Sequence, residues 1–217
     1  MALSFPLPLA QFFSNLPITE GKPYLGTAAV TSRTRGGAQL RAQIGERLWQ
    51  GSARLAARYH GDADAISARL ALLEEAQGSL LVSVRRQAGP GPIADPSGAR
   101  LGDAEPKLHS VAANNVELRL NGLPPGYELR DGDYLSFIYG SSPRYAFHQI
   151  VVGGIADGSG QTPLMQVVPH IRPGFVTGAA VQLVQPVFKA VLVSASHGNR
   201  QPLIDTGLGF DYIQTLG

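Results

Sequence analysis

Apolar and polar residues alternate along much of this chain with a period of two. From Leu48 to Arg58, Leu48, Gln50, Ser52, Arg54, Ala56 and Arg58 fall on one side, with Trp49, Gly51, Ala53, Leu55 and Ala57 on the other. That is the pattern of a strand with one face toward a core. Residues 28–33 and 39–44 predict two earlier strands, joined by a turn at Arg35, Gly36 and Gly37. One segment breaks the rule. Ile66, Leu70 and Leu73 recur at helical spacing, which predicts a short helix with Arg69, Glu74 and Glu75 in water. Asp62 or Asp64 is its expected N-cap, since a short carboxylate accepts a hydrogen bond from the otherwise unpaired first amides. Gly78 is its expected stop.

Period-two patterning then resumes. Strands are predicted at 80–84, 116–120, 134–139, 144–152, 165–168, 180–184 and 188–193. In the 144–152 strand, Tyr145, Phe147 and Gln149 share one face, and Ala146, His148 and Ile150 the other. Turns are expected at Leu123-Pro-Pro-Gly-Tyr127, at Asp131-Gly-Asp133 and at Ala156-Asp-Gly-Ser-Gly160, with Gly126 as a source of positive φ. Leu129-Arg-Asp-Gly132 and Ile171-Arg-Pro-Gly174 echo each other as repeated turn chemistry. Short strands separated by regular turns predict a mainly β fold, α+β with one short helix on β-sheets, organised as a sandwich or barrel.

The same pattern sets the expected domains. Residues 1–25 read as an irregular N-terminal arm, and Phe12, Phe13 and Leu16 are its candidate assembly contacts, packing on a body or on a neighbouring subunit. Residues 26–88 form strands plus the helix. Residues 89–106 are too rich in Gly and Pro to pair in a sheet, so the one expected boundary falls there. Residues 107–217 form a sandwich- or barrel-like half, either separate from 26–88 or continuous with it. The arm and the 87–106 loop are the expected contact elements.

Composition narrows the function. The 217 residues are 44% hydrophobic, which fits a folded chain with a real core. The formal net charge is +2, and Lys and Arg are scattered, with Arg85-Arg86 the densest pair. No basic stripe of the kind a nucleic-acid groove needs is expected. With no cysteine, disulfides, zinc–thiolate sites and cysteine nucleophiles are excluded. The apolar start lacks a basic region and is broken by Pro6 and Pro8, unlike a signal peptide. No apolar run reaches membrane-spanning length. The expectation is synthesis in the cytoplasm and no membrane partner.

Motifs for chemistry are missing. No glycine run precedes a Lys-Ser/Thr pair, as a P-loop requires, and no Gly-x-Gly-x-x-Gly joins a strand to a helix. There is no Gly-x-Ser-x-Gly elbow. Gly140-Ser-Ser-Pro143 offers hydroxyls without a marked histidine partner. His60, His109, His148, His170 and His197 are dispersed, and His148 reads as a core histidine. Asp131-Gly-Asp133 lacks the further ligands of a calcium loop. Catalytic, metal and cofactor residues are therefore expected to be none, with no small-molecule substrate. Trp49 reads as a core anchor.

The order of these features carries a resemblance. Ser52-Ala-Arg-Leu-Ala56, then Leu70-Ala-Leu-Leu-Glu-Glu-Ala-Gln-Gly-Ser79, then Leu123-Pro-Pro-Gly-Tyr-Glu-Leu-Arg-Asp-Gly-Asp-Tyr-Leu-Ser-Phe137 follow one another. Arg144-Tyr-Ala-Phe-His148, Ala156-Asp-Gly-Ser-Gly160, Val168-Pro-His-Ile-Arg-Pro-Gly174 and Ala180-Val-Gln-Leu-Val-Gln-Pro186 come next. Over roughly residues 45–195 the chain resembles proteobacterial prophage tail or baseplate proteins of distal-tail-like character. The resemblance implies a structural, non-enzymatic role in a virion tail. Its partners would be further copies, in a homo-oligomeric ring, and other tail proteins. A carbohydrate-binding β-sandwich for host adhesion is the alternative, and it requires Trp49, Tyr134, Tyr139 and Tyr145 exposed together. A cell-wall hydrolase is the second alternative, and it requires a cleft of converging carboxylates or histidines.

Overall fold

The computed structural model describes residues 3–140 and 144–217. The chain is mainly β, 42% strand and 9% helix, with sheets curled into a half-barrel and a nearly closed barrel. It divides into two compact units. One comprises residues 1–16, 79–190 and 216–217, and the other residues 17–78 and 191–215. Neither follows the expected domains. The 89–106 loop lies inside the first unit, and the crossings fall beside residues 16, 78, 190 and 215 instead. The physical reason is pairing between strands distant in sequence.

In the first unit six strands run antiparallel in the order Val181–Gln182, Tyr134–Tyr139, Arg144–Val152, Met165–Val168, Glu117–Asn121 and Lys107–Val111. The ends of that order meet. Lys107 bridges to Ala180, the Leu108 amide donates to Ala179 O at 2.9 Å, and the Val181 amide donates to Pro106 O at 2.8 Å. Closure removes the exposed sheet edges. Leu118, Leu120, Leu135, Phe137, Ile150 and Met165 fill the interior. Leu135 and Phe137 alternate with Tyr134 and Ser136, so the neighbouring face has its own contacts. There Tyr134 stacks on Phe147 at 5.4 Å, and Phe147 meets Phe188 at 4.9 Å. Both predicted faces of the 144–152 strand pack inward at its centre, where Ala146, Phe147 and His148 are all buried.

The turns behave as their residues dictate. Gly126, Gly132, Gly160 and Gly174 all take positive φ, between +73° and +95°. Asp157 organises its turn by accepting from the Ser159 and Gln161 amides at 2.8 and 3.0 Å.

In the second unit the strand Ile204–Gln214 pairs with Trp49–Leu55, placing Ala53 opposite Phe210 and Gly51 opposite Tyr212. An added Cβ at Gly51 would lie 2.7 Å from the Tyr212 hydroxyl oxygen, so a larger residue there would force that ring to shift. Ile18–Glu20 and Tyr24–Leu25 pair with the other edge of Trp49–Leu55, and Arg58–Tyr59 pairs with Ile204 and Asp205. The helix runs His60–Leu73 and buries Ala63, Leu70 and Leu73. Its N-cap is Tyr59, without a side-chain cap bond. The expected caps are used elsewhere: Asp62 lies in the first turn, and Asp64 pairs with Arg200. Gly78 comes too late to be the stop, because Glu74 caps the helix and a further turn intervenes.

Candidate functional site

The arm of residues 3–16 is part of the interior. Leu7 takes a strand-like bridge to Leu80, with its amide donating to Ser79 O at 2.8 Å and its carbonyl accepting from Leu81 at 3.0 Å. Two short 3₁₀ turns, Leu9–Gln11 and Phe13–Asn15, then fold the chain over Leu80–Ser83. Phe12, Phe13 and Leu16 are 1%, 3% and 4% exposed. Arg85 donates to Leu16 O at 2.6 Å, and Gln185 Nε2 donates to Ser14 Oγ at 3.3 Å. The candidate assembly contacts are thus core residues. Of the two packings the sequence allows, they take the one on their own body, and they offer no free surface.

The Gly/Pro loop, the second expected contact element, is also fastened. The Arg86 guanidinium donates to Gly91 O at 3.1 Å, Gly132 O at 2.8 Å and Asp133 Oδ1 at 3.0 Å, and lies over the Tyr134 ring. Buried Asp133 also accepts from the Ile93 and Arg130 amides at 2.7 and 2.8 Å. Asp95, buried within the loop, accepts from the Leu101 amide at 3.0 Å and the Tyr127 hydroxyl at 3.2 Å. Burial pushes the Asp95 carboxyl up, but amides of Arg100 and Leu101, together with Tyr127, outweigh it and hold it below the usual carboxylate value. Burial likewise raises Tyr127. These two carboxylates are fully engaged in holding a loop, which is structural work.

Histidines do not converge. His148 is buried, stacks on Phe137 at 5.6 Å, and shares a hydrogen bond from Nδ1 to Pro169 O at 2.9 Å. That bond puts the proton on Nδ1 and leaves Nε2, which has no protein partner, unprotonated. Burial drives the imidazole down to about 4 despite the Pro169 bond, with Arg172 adding to the effect. It is the core histidine its sequence context predicts. His60 meets Asp205 at 3.3 Å, and His109 meets Asn121 at 3.3 Å. No group of three or more metal-ligating side chains forms among the described residues.

The nearest approach to a catalytic constellation was invisible in sequence. His197 Nδ1 lies 2.6 Å from Ser67 Oγ, and its Nε2 lies 3.3 Å from Glu74 Oε2. Ser67 sits mid-helix, where backbone amides are spent on i→i−4 bonds and none is free to hold an oxyanion. The trio ties the helix to the strand carrying His197. Ser141, Ser142 and Pro143 of the other hydroxyl-bearing motif lie outside the described residues.

What the second unit does present is a hairpin. Ala29–Arg33 and Gln39–Gln43 pair only with each other, Val30 opposite Ala42 and Ser32 opposite Leu40. The turn is set by Gly37 at φ +83°, with the Gly37 amide donating to Thr34 O at 3.0 Å and Thr34 donating to Ala38 O at 2.9 Å. At the base the Gly26 amide donates to Leu48 O at 2.8 Å, and Arg47 Nε donates to Gly26 O at 3.1 Å. Between these ends, no residue from Thr27 to Glu46 is buried.

Register sorts its side chains. Ala28, Val30, Ser32, Leu40, Ala42 and Ile44 share one face, and Ala29, Thr31, Arg33, Gln39, Arg41 and Gln43 the other. The first face is aliphatic and open: Val30, Leu40 and Ile44 are 54%, 57% and 70% exposed. The second is polar and basic, and Arg35 adds a charge at the tip. Residues 28–45 contain no Asp or Glu. Both outer backbone edges lack a ladder partner among the described residues. Sequence reasoning found both strands and the turn; what it lacked was any sign that nothing covers them.

Comparison with protein-family models finds no match to this chain, and comparison with curated proteins finds none either.

Proposed function

We propose that this chain is a structural subunit of a bacteriophage or prophage tail or baseplate, acting by self-association and by contacts with other tail proteins. The observation that carries the reading is the amphipathic hairpin with its uncovered aliphatic face and unpaired edges. A two-stranded hairpin alone is marginal in water, and one that leaves its apolar side open gains its stability by docking. Open edges accept further strands, a mode of association that suits stacked and ringed assemblies. The ordered series of motifs over residues 45–195 supplies the resemblance to tail proteins, and the virion tail is the compartment it implies.

The glycan-binding alternative needs four aromatics exposed together, whereas Trp49, Tyr134 and Tyr139 are buried. The hydrolase alternative needs a converging polar cleft, and of the buried carboxylates, Asp95 and Asp133 are spent on the loop while Asp205 is paired with Arg200 and His60. Among the described residues no helix is long and apolar enough to cross a membrane.

The test is solution mass by light scattering across a concentration series, with negative-stain microscopy of the heavier fraction. Rings of one symmetry are the expected outcome. Mass that stays monomeric at the highest concentration, with no ring in any fraction, overturns the self-association half of the reading.

A further inference from the structure

The hairpin's two faces specify the chemistry of what docks on it. We infer that residues 28–44 accept an extended segment of another protein in which carboxylate and aliphatic side chains alternate. This deepens the assembly reading and rests on it only in taking the hairpin as a docking element.

A strand added along either open edge continues the pleat, so its odd and even side chains fall on opposite faces of the enlarged sheet. On one face they lie beside Val30, Leu40 and Ile44, and burying those requires aliphatic neighbours. On the other face they lie beside Arg33 and Arg41, one on each strand. Neither arginine forms an ion pair among the described residues. Cross-strand neighbours of opposite charge stabilise a sheet, and like charges destabilise it. The segment that satisfies both faces therefore reads acid, aliphatic, acid, aliphatic.

The same charges select against two other occupants. A second hairpin of this chain, edge to edge, brings arginine-bearing faces together, so a copy would dock here through another of its segments. A nucleic acid duplex admits a two-stranded ribbon and welcomes arginine, but it engages the polar face alone and leaves Val30, Leu40 and Ile44 in water. Only an amphipathic protein strand uses both faces.

The experiment measures fluorescence polarisation with two labelled synthetic peptides, one alternating Glu and Val and the other Lys and Val, plus a labelled DNA duplex. The protein is the full chain, as wild type and as the double variant Arg33→Glu/Arg41→Glu. Because both positions are exposed, circular dichroism is expected to show an unchanged fold. The Glu–Val peptide binds wild type, weakens with salt, and is preferred over Lys–Val by about tenfold, the worth of a few exposed charge pairs. In the double variant the preference reverses. Equal binding of both peptides, absence of peptide binding, or binding of the duplex alone overturns the inference. Light scattering reads the assembly proposal separately: a monomeric protein that binds the Glu–Val peptide keeps this inference and loses self-association, and rings without peptide binding do the reverse.

Discussion

The arm of residues 3–16 and the hairpin of residues 28–44 are two apolar-bearing segments treated in opposite ways. The arm has almost no regular structure, yet Leu7, Phe12, Phe13 and Leu16 are sealed inside the first unit. The hairpin has a full antiparallel ladder, yet Val30, Leu40 and Ile44 face water. Regularity and coverage are separate properties. A ladder satisfies backbone groups, whereas burial of aliphatic and aromatic surface supplies the larger share of stability. The arm is held by what it covers, and the hairpin is free to be held by something else.

The contrast predicts a graded set of responses. Phe12→Ala leaves a void in the first unit and is expected to cost about 3–5 kcal/mol, read as a fall in the denaturant midpoint. A loss below ~1 kcal/mol would place the arm with the hairpin as a loosely held segment. An interior polar group gives the intermediate case. His148 is buried neutral, with its value lowered from 6.5 to about 4. Its contribution is therefore complete above pH 6.5, declines as pH falls and the unfolded chain gains the proton first, and levels off below pH 4. The difference amounts to about 3 kcal/mol. Denaturation of wild type and His148→Gln between pH 4 and 7.5 checks this, since the variant should lose less stability over that window. The smallest effect belongs to the hairpin: Leu40→Ser should change unfolding free energy by no more than about 0.5 kcal/mol. A larger loss would mean that the aliphatic face is covered within the chain itself.

Much of the fold is legible because strand residues announce their pleat. Residues 134–139 and 144–152 read from the sequence as the strands they form, since β-branched and aromatic side chains bounded by glycine turns leave little alternative. The strand Ile204–Gln214 escaped detection although Leu208, Phe210 and Tyr212 alternate on its buried side. Gly207 and Gly209 interrupt that alternation, and the reason for Gly209 is tertiary, an added Cβ meeting the Ala53 carbonyl oxygen at 2.7 Å. Capping failed similarly: Asp64 suits a helix start, but a guanidinium 136 residues away claims it. For the candidate site the sequence yields both strands and every charge of the hairpin. It cannot say whether a face is covered, because coverage is decided by segments far along the chain. The same limit left open whether the arm packs on its own body or on a neighbour.

The pairing of Trp49–Leu55 with Ile204–Gln214 also has a consequence during synthesis. The Trp49 amide and the Gln214 side chain meet at 3.3 Å across 165 residues. As the polypeptide leaves the ribosome, the earlier strand lacks this neighbour until the strand carrying Gln214, 165 residues on, has emerged. Contacts of such separation fold slowly, and the waiting strand exposes Trp49, Ala53 and Leu55 in the interval. The second unit thus closes its sheet only after residues 79–190 of the first have been made.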